Sequence, residues 1–376
     1  MSPINDQLQE MSRQAKHAWV RGFASATLLA FLLAGGMVTD SSSAKENPAA
    51  KTTDLTGLSL EELYNLEVVQ PNVLGGHTHP SGQAMMGYQY MHTSMSGLYQ
   101  GSREIMPAAA FAQGFAAVHT GMEMNMHMFE LMYAPTERLT LMAMLPYKTM
   151  DMVHLEKDGN SFKQSAEGLG DLEVMGLITL FGDIHKGGHR LVLNAGLSFP
   201  TGSINVKDHG HGNPLAALVQ LEYFMQFGSG TYDVMPGLTY LGEAGPWSWG
   251  AQTIETVRIG RNDHGYRLGD EYRVSLWTSY GVTDWFAPSL RLDGRWWEDV
   301  AGNDKGLSAN HTPEARTNLR GGRRLDLLLG LNFYAASGCL KGTRLMIEGG
   351  IPVYQHLDGP QLGTAWLFSA GLSHAF

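Results

Sequence analysis

From Met122 the chain reads Met-Glu-Met-Asn-Met-His-Met-Phe-Glu-Leu-Met-Tyr, an alternation that fits one regular backbone. In a β-strand successive side chains point to opposite faces. Met122, Met124, Met126, Met128, Glu130 and Met132 therefore share one face, and Glu123, Asn125, His127, Phe129, Leu131 and Tyr133 share the other. After the turn Ala134-Pro135-Thr136-Glu137-Arg138, Leu139, Leu141, Ala143, Leu145 and Tyr147 alternate with Thr140, Met142, Met144, Pro146 and Lys148, which reads as a hairpin. Similar segments recur at 83–96, 168–181, 189–200, 228–241, 247–259, 268–281, 285–297, 322–334, 342–353 and 364–376. The total is about twelve strands, each near the ~9–11 residues a tilted strand needs to cross a bilayer.

The connections alternate in length. Tight turns at 134–138, 182–188, 242–246, 282–284 and 335–341 interleave with longer loops at 151–167, 201–227, 260–267 and 298–321. Transmembrane barrels have this asymmetry and, as a rule, an even strand number, so the expected fold is all-β, an antiparallel outer-membrane β-barrel over 83–376. The apolar stretch Leu215 to Phe227 strains the count, and we assign it to an outer loop folded back over the mouth. A sandwich or propeller would alternate without the long and short loops. Charged residues are 16% of the chain, well under the roughly 25% of a soluble domain. With 26 Lys+Arg against 36 Asp+Glu and no basic run, a nucleic-acid partner is excluded. The single Cys339 allows no intrachain disulfide.

Residues 1–44 read as a signal peptide: Arg13, Lys16 and Arg21 precede an apolar stretch from Gly22 to Val38, and small residues lead to cleavage after Ala44. Residues 45–82 read as a periplasmic segment with a short helix capped by Ser59 and Glu62, serving as tether or plug. Its stretch Asp54-Leu-Thr-Gly-Leu-Ser-Leu-Glu-Glu-Leu-Tyr-Asn-Leu-Glu-Val68 is similar to the segment preceding the plug of many TonB-dependent receptors. The last strand places Thr364, Trp366, Phe368, Ala370, Leu372, His374 and Phe376 on one face, with aromatics at both ends, and its terminal Phe resembles the C-terminal signal of bacterial outer-membrane proteins. The expected location is the Gram-negative outer membrane after Sec-type export, with lipid, lipopolysaccharide and the barrel-assembly machinery as partners.

The runs 132–147 (Met-Tyr-Ala-Pro-Thr-Glu-Arg-Leu-Thr-Leu-Met-Ala-Met-Leu-Pro-Tyr), 167–172 (Glu-Gly-Leu-Gly-Asp-Leu), 197–204 (Leu-Ser-Phe-Pro-Thr-Gly-Ser-Ile), 228–240 (Gly-Ser-Gly-Thr-Tyr-Asp-Val-Met-Pro-Gly-Leu-Thr-Tyr) and 321–330 (Gly-Gly-Arg-Arg-Leu-Asp-Leu-Leu-Leu-Gly) carry a family resemblance. Together they resemble the outer-membrane β-barrel family of phenol-degradation meta-pathway transporters, over most of the chain from about Gln83. The resemblance implies a transporter and says little of its substrate.

Phe129, Leu131 and Tyr133 suit lipid, so the methionine face of that strand is expected to point into the lumen, where Met91, Met95, Glu130, Met132, Met142, Met144 and Lys148 join it. Two readings of the stripe follow. Soft thioethers favour Cu(I), and Met122, Met124, Met126 and Met128 with His92 and His127, and His119 nearby, would form a copper-handling wall. Methionine also fills uneven apolar space and lets varied solutes slide past. The pairs His77/His79 and His209/His211 read as solvated loop histidines, and Arg258, Arg261, Asp263, Arg267, Asp270 and Arg273 as an ion network around one outer loop. No Gly-x-Ser-x-Gly occurs, no carboxylate is placed to orient His374 beside Ser275 or Ser369, and no phosphate loop is present, so no enzyme and no resident cofactor is expected. The reading is a passive channel for small, hydrophobic or aromatic solutes, the alternative a copper- or soft-metal-binding barrel. Oligomeric state is not legible.

Overall fold

A computed structural model describes residues 73, 75–182 and 188–376. The signal peptide and the short helix expected near Ser59 lie outside the described residues. The strands are β1 (Ala84–Gly101), β2 (Arg103–Ile105), β3 (Ala117–Thr136), β4 (Leu139–Glu156), β5 (Ser161–Leu169), β6 (Leu172–Phe181), β7 (His189–Phe199), β8 (Lys207–His209), β9 (Leu218–Gln220), β10 (Tyr232–Ala244), β11 (Trp247–Ile259), β12 (Tyr266–Arg267), β13 (Glu271–Tyr280), β14 (Phe286–Trp297), β15 (Ala301–Gly302), β16 (Gly322–Tyr334) and β17 (Thr343–Ala375). One short helix, α1 (Pro107–Ala112), joins β2 to β3.

Eleven of these elements form a ring in chain order, β1, β3, β4, β6, β7, β10, β11, β13, β14, β16 and β17, and β17 closes it by pairing antiparallel with β1. An odd meander would close parallel, and β17 resolves the parity. Arg344 to Leu357 pair with β16, and Leu357 to Ala375 pair with β1. The halves lie side by side: the Ala375 N–H reaches the Gly342 carbonyl at 3.1 Å, and the Gln355 side chain accepts from the Thr364 N–H at 3.0 Å. The last ribbon thus supplies two staves, and the barrel has twelve. Closure leaves no sheet edge, the condition for a β-structure in hydrocarbon.

Alternation decides the faces. Phe129, Leu131 and Tyr133 are 50–56% exposed while Met122 and Met132 are 3% exposed, and the β3 register carries this division to its neighbours. Outward-facing aromatics gather at two levels, with the exposed Tyr133, Trp247, Tyr280, Trp285 and Phe376 by the short turns and Tyr88, Phe129 and the half-buried Tyr90 and Tyr147 towards the long loops. These are the girdles of a membrane-spanning barrel. Above the upper girdle the outward residues of β3 and β4 turn polar, with Asn125, Glu123, Thr149 and Asp151, so both strands continue beyond the bilayer.

One loop expectation changes and one holds. Residues 151–167 are largely strand: β4 runs on to Glu156 and turns into β5, a hairpin standing above the membrane. Residues 215–227 form no stave. Leu218–Gln220 pairs with β8 in a separate two-stranded sheet, and Leu221, Tyr223, Met225 and Phe227 are buried.

Candidate functional site: the barrel lumen

At the periplasmic end the inward residues form an apolar layer. Met85, Met132, Met142, Met144, Met175, Leu177 and Val192 are buried together, with Met85, Met132, Met142 and Met175 in register across β1, β3, β4 and β6. Trp277 lies over Gly250, where an added Cβ would stand 2.2 Å from the indole, and packs with Leu241 and Val73. Val73 belongs to the chain before β1. The Gly75 carbonyl accepts from the Asn194 amide at 3.2 Å, and the His79 N–H donates to the Thr140 hydroxyl at 3.1 Å. Asn194, Thr140, Leu241 and Trp277 are inward residues of four different strands, so residue 73 and residues 75–80 run inside the barrel. His77 and His79, expected as solvated, are part of this strap; His79 is buried and bonds Gln83 at 2.6 Å, because the wall supplies partners that the sequence does not show.

Above this layer the wall divides in two. The side built by β11 to β17 carries charges held by one another: Asp293 takes Arg273 at 2.9 Å and Arg295 at 3.2 Å, Arg324 meets Asp326 at 2.9 Å, and Arg291 grips Glu348 with two nitrogens. Arg258 pairs with Asp233. Arg258 and Arg273 thus belong to the lumen rather than to the outer-loop network expected for them. The opposite side, β1 to β4, carries the methionines. A cavity of about 520 Å³ is lined by Lys148, Glu173, Met235, Ile254, Arg258, Arg295 and Trp297 and roofed by Tyr223 to Ser229 of the inserted loop. A smaller one of about 180 Å³ touches Met95, Met122, Phe224, Glu314 and Arg320.

The methionine stripe is used in packing. Met122, Met150 and Met152 bury against Leu221, Met225 and Phe227 of the inserted loop, with Met95 and Met124 beside them, and Met128 packs on the lower layer. Met126 and Met91 are opposite each other on the same inward face, and Glu130 stands opposite Gly87 and Met144. His92 and His127 are on the other face. His127 bonds the Tyr88 hydroxyl at 2.7 Å, and His92 bonds Asn125 at 2.8 Å and Glu123 at 3.1 Å. The structure therefore does not bring them to the thioethers, because residues of opposite parity in one strand cannot meet. Ser369 faces inward and His374 outward for the same reason.

His119 behaves differently from His92 and His127. A bulge between His119 and Gly121 inserts Thr120 and shifts the phase, so His119 turns inward opposite His154. Both are buried above the upper girdle, beneath the loops that carry Glu222 and Glu314. His119 Nδ1 lies 3.0 Å from Glu314 and Nε2 3.6 Å from Glu222. Burial alone would lower the His119 pKa; Glu314 and then Glu222 outweigh it and hold it up at about 9. Burial, then the neighbouring His119, push His154 down to about 3.

The family model described as "Putative MetA-pathway of phenol degradation" matches residues 109–335. No curated protein matches the chain. Among solved structures, an outer membrane channel from Pseudomonas putida F1 is similar at 13% identity and a TM-score of 0.55, over 82% of this chain and 100% of that one. The transport unit of the autotransporter AIDA-I from Escherichia coli aligns at 9% identity and a TM-score of 0.41, over 83% and 95%. A Pseudomonas aeruginosa FadL homologue aligns at 9% identity and a TM-score of 0.39, over 82% and 95%.

Proposed function

Because the chain belongs to the family described as "Putative MetA-pathway of phenol degradation", whose model covers more than half of it, we propose that this outer-membrane barrel is a passive channel for small solutes with an aromatic or apolar body and one polar group. The observation that carries the reading is the chamber of about 520 Å³, whose lining combines apolar and charged side chains. That volume lies within the ~300–1,000 Å³ of small-molecule sites. Phe227, Met235, Ile254 and Trp297 in its lining offer apolar and polarizable contact to a ring. The same lining offers guanidinium groups, including Arg258, Arg295 and Arg320, to a hydroxyl or carboxylate. Arg258 and Arg295 are already paired with Asp233 and Asp293, so a solute is oriented by them without being trapped, as a conduit requires. Flux follows the solute gradient.

The strap formed by residue 73 and residues 75–80 and the apolar layer beneath the chamber supply the resistance at the periplasmic end. Passage then requires small displacements of flexible methionine side chains rather than an open water column.

Liposomes carrying the refolded chain test this. Swelling in phenol or benzoate is expected to exceed swelling in a neutral sugar of similar mass, and Arg295→Met is expected to reduce the benzoate preference. Equal rates for all three solutes would refute the orienting role of the charged side; no swelling above protein-free liposomes would refute the channel.

A further inference from the structure

We propose that His119, His154 and Glu222 form a binding site for a divalent transition-metal ion of the zinc class, with Glu314 holding His119 from behind. One ligand atom from each of the three lies within 4.8 Å of the other two, and all three residues are buried. Ligands about 2.0–2.2 Å from a four-coordinate ion stand roughly 3.3–3.5 Å apart, so small side-chain rotations close the site. Neither ring nitrogen of His154 has a side-chain hydrogen-bond partner among the described residues, although the residue is only 1% exposed. A buried histidine left in this way is costly unless something takes its lone pair.

The surroundings have the form that holds metal ligands. A ligating imidazole donates its second N–H to a carboxylate, which fixes the ring. Glu314 stands 3.0 Å from His119 Nδ1, leaving Nε2 on the side of Glu222. Glu222 itself accepts from the Thr312 hydroxyl at 3.0 Å. The His154 ring is stacked on Phe162, centroids 4.5 Å apart and 5° from parallel, and stands nearly perpendicular to His119 at 4.4 Å. Two imidazoles and a carboxylate select zinc or a neighbouring ion over calcium and magnesium, and the absence of sulfur disfavours Cu(I). Glu314 also borders the smaller cavity. The ligands come from β3, β4 and the loop after β8 and β9, and Glu314 from the loop before β16. A bound ion would pin both inserted loops to the barrel wall.

The test uses the full refolded chain in detergent, stripped with chelator and titrated calorimetrically with zinc chloride, with cobalt absorption as a reporter of coordination. One ion per chain is expected, with affinity reduced at least about tenfold in His154→Phe and in Glu222→Gln, and about 10–100-fold in Glu314→Gln, the usual effect of losing an outer-shell partner. His211→Ala, in an exposed neighbour ion-paired with Glu156, is expected to bind as the parent does. Absence of saturable zinc uptake by the folded parent would overturn the proposal. So would parent-like uptake by His154→Phe or Glu222→Gln, or loss of uptake in His211→Ala alone. Heat-modifiable mobility and a strand-type far-UV spectrum identify variants that fold; Glu222→Gln and Glu314→Gln, which keep shape and hydrogen-bonding capacity, decide the matter if His154→Phe does not.

Discussion

The Asn194 amide reaches the Gly75 carbonyl at 3.2 Å, joining an inward residue of β7 to a strap that precedes the first stave by nine positions. The same side chain accepts from the Thr239 hydroxyl at 2.7 Å. It therefore fastens strap and wall together within a site closed to solvent, where an unmade hydrogen bond costs about 1–3 kcal/mol.

Asn194→Ala is expected to loosen the strap without opening the ring, since ring closure depends on main-chain pairing. Planar-bilayer recordings should show more frequent or larger openings than the parent. Conductance identical to the parent would mean that the strap does not set the resistance.

The pair Arg291–Glu348 is buried and doubly hydrogen-bonded, with Nε to Oε1 at 2.9 Å. Removing Glu348 leaves Arg291, Arg273 and Arg295 sharing Asp293. Breaking a buried pair by deleting one partner costs about 3–5 kcal/mol, whereas replacing both by apolar groups is often neutral. Urea unfolding in vesicles should therefore show Glu348→Ala far less stable than the Arg291→Met/Glu348→Leu double variant. Equal loss in both would contradict this account.

Leu329 sits midway along β16, is 66% exposed and points towards lipid. Leu329→Arg is expected to lower stability by roughly 2–4 kcal/mol, the cost of a cation at the bilayer midplane. The same vesicle titration measures it, and a change under about 0.5 kcal/mol, the usual limit for an ordinary surface site, would place Leu329 outside the hydrocarbon.

Gly250 is required by Trp277, whose ring occupies the space a Cβ would take. Gly250→Val should displace the indole from its contact with Val73 and Leu241, with a shift in tryptophan emission and a more mobile strap in hydrogen exchange. Unchanged emission would show that the ring has room to spare.

The sequence by itself determined the ring. Period-two alternation, aromatic ends and alternating loop lengths are local properties, and once backbone groups must be satisfied within lipid they leave closure as the outcome. The inward direction of the β3 stripe followed the same way, from Phe129, Leu131 and Tyr133 on its other face. What fills the ring was not legible. His119 leaves its expected parity through a single inserted residue, Thr120, and meets His154, Glu222 and Glu314 from three distant stretches of chain. Residues 73, 75–80 and 221–227 acquire burial only because inward side chains of several staves converge on them. Alternation reports which way a side chain points from its own strand; what it meets across the lumen depends on tilt, register and loop insertion, which only the tertiary structure decides.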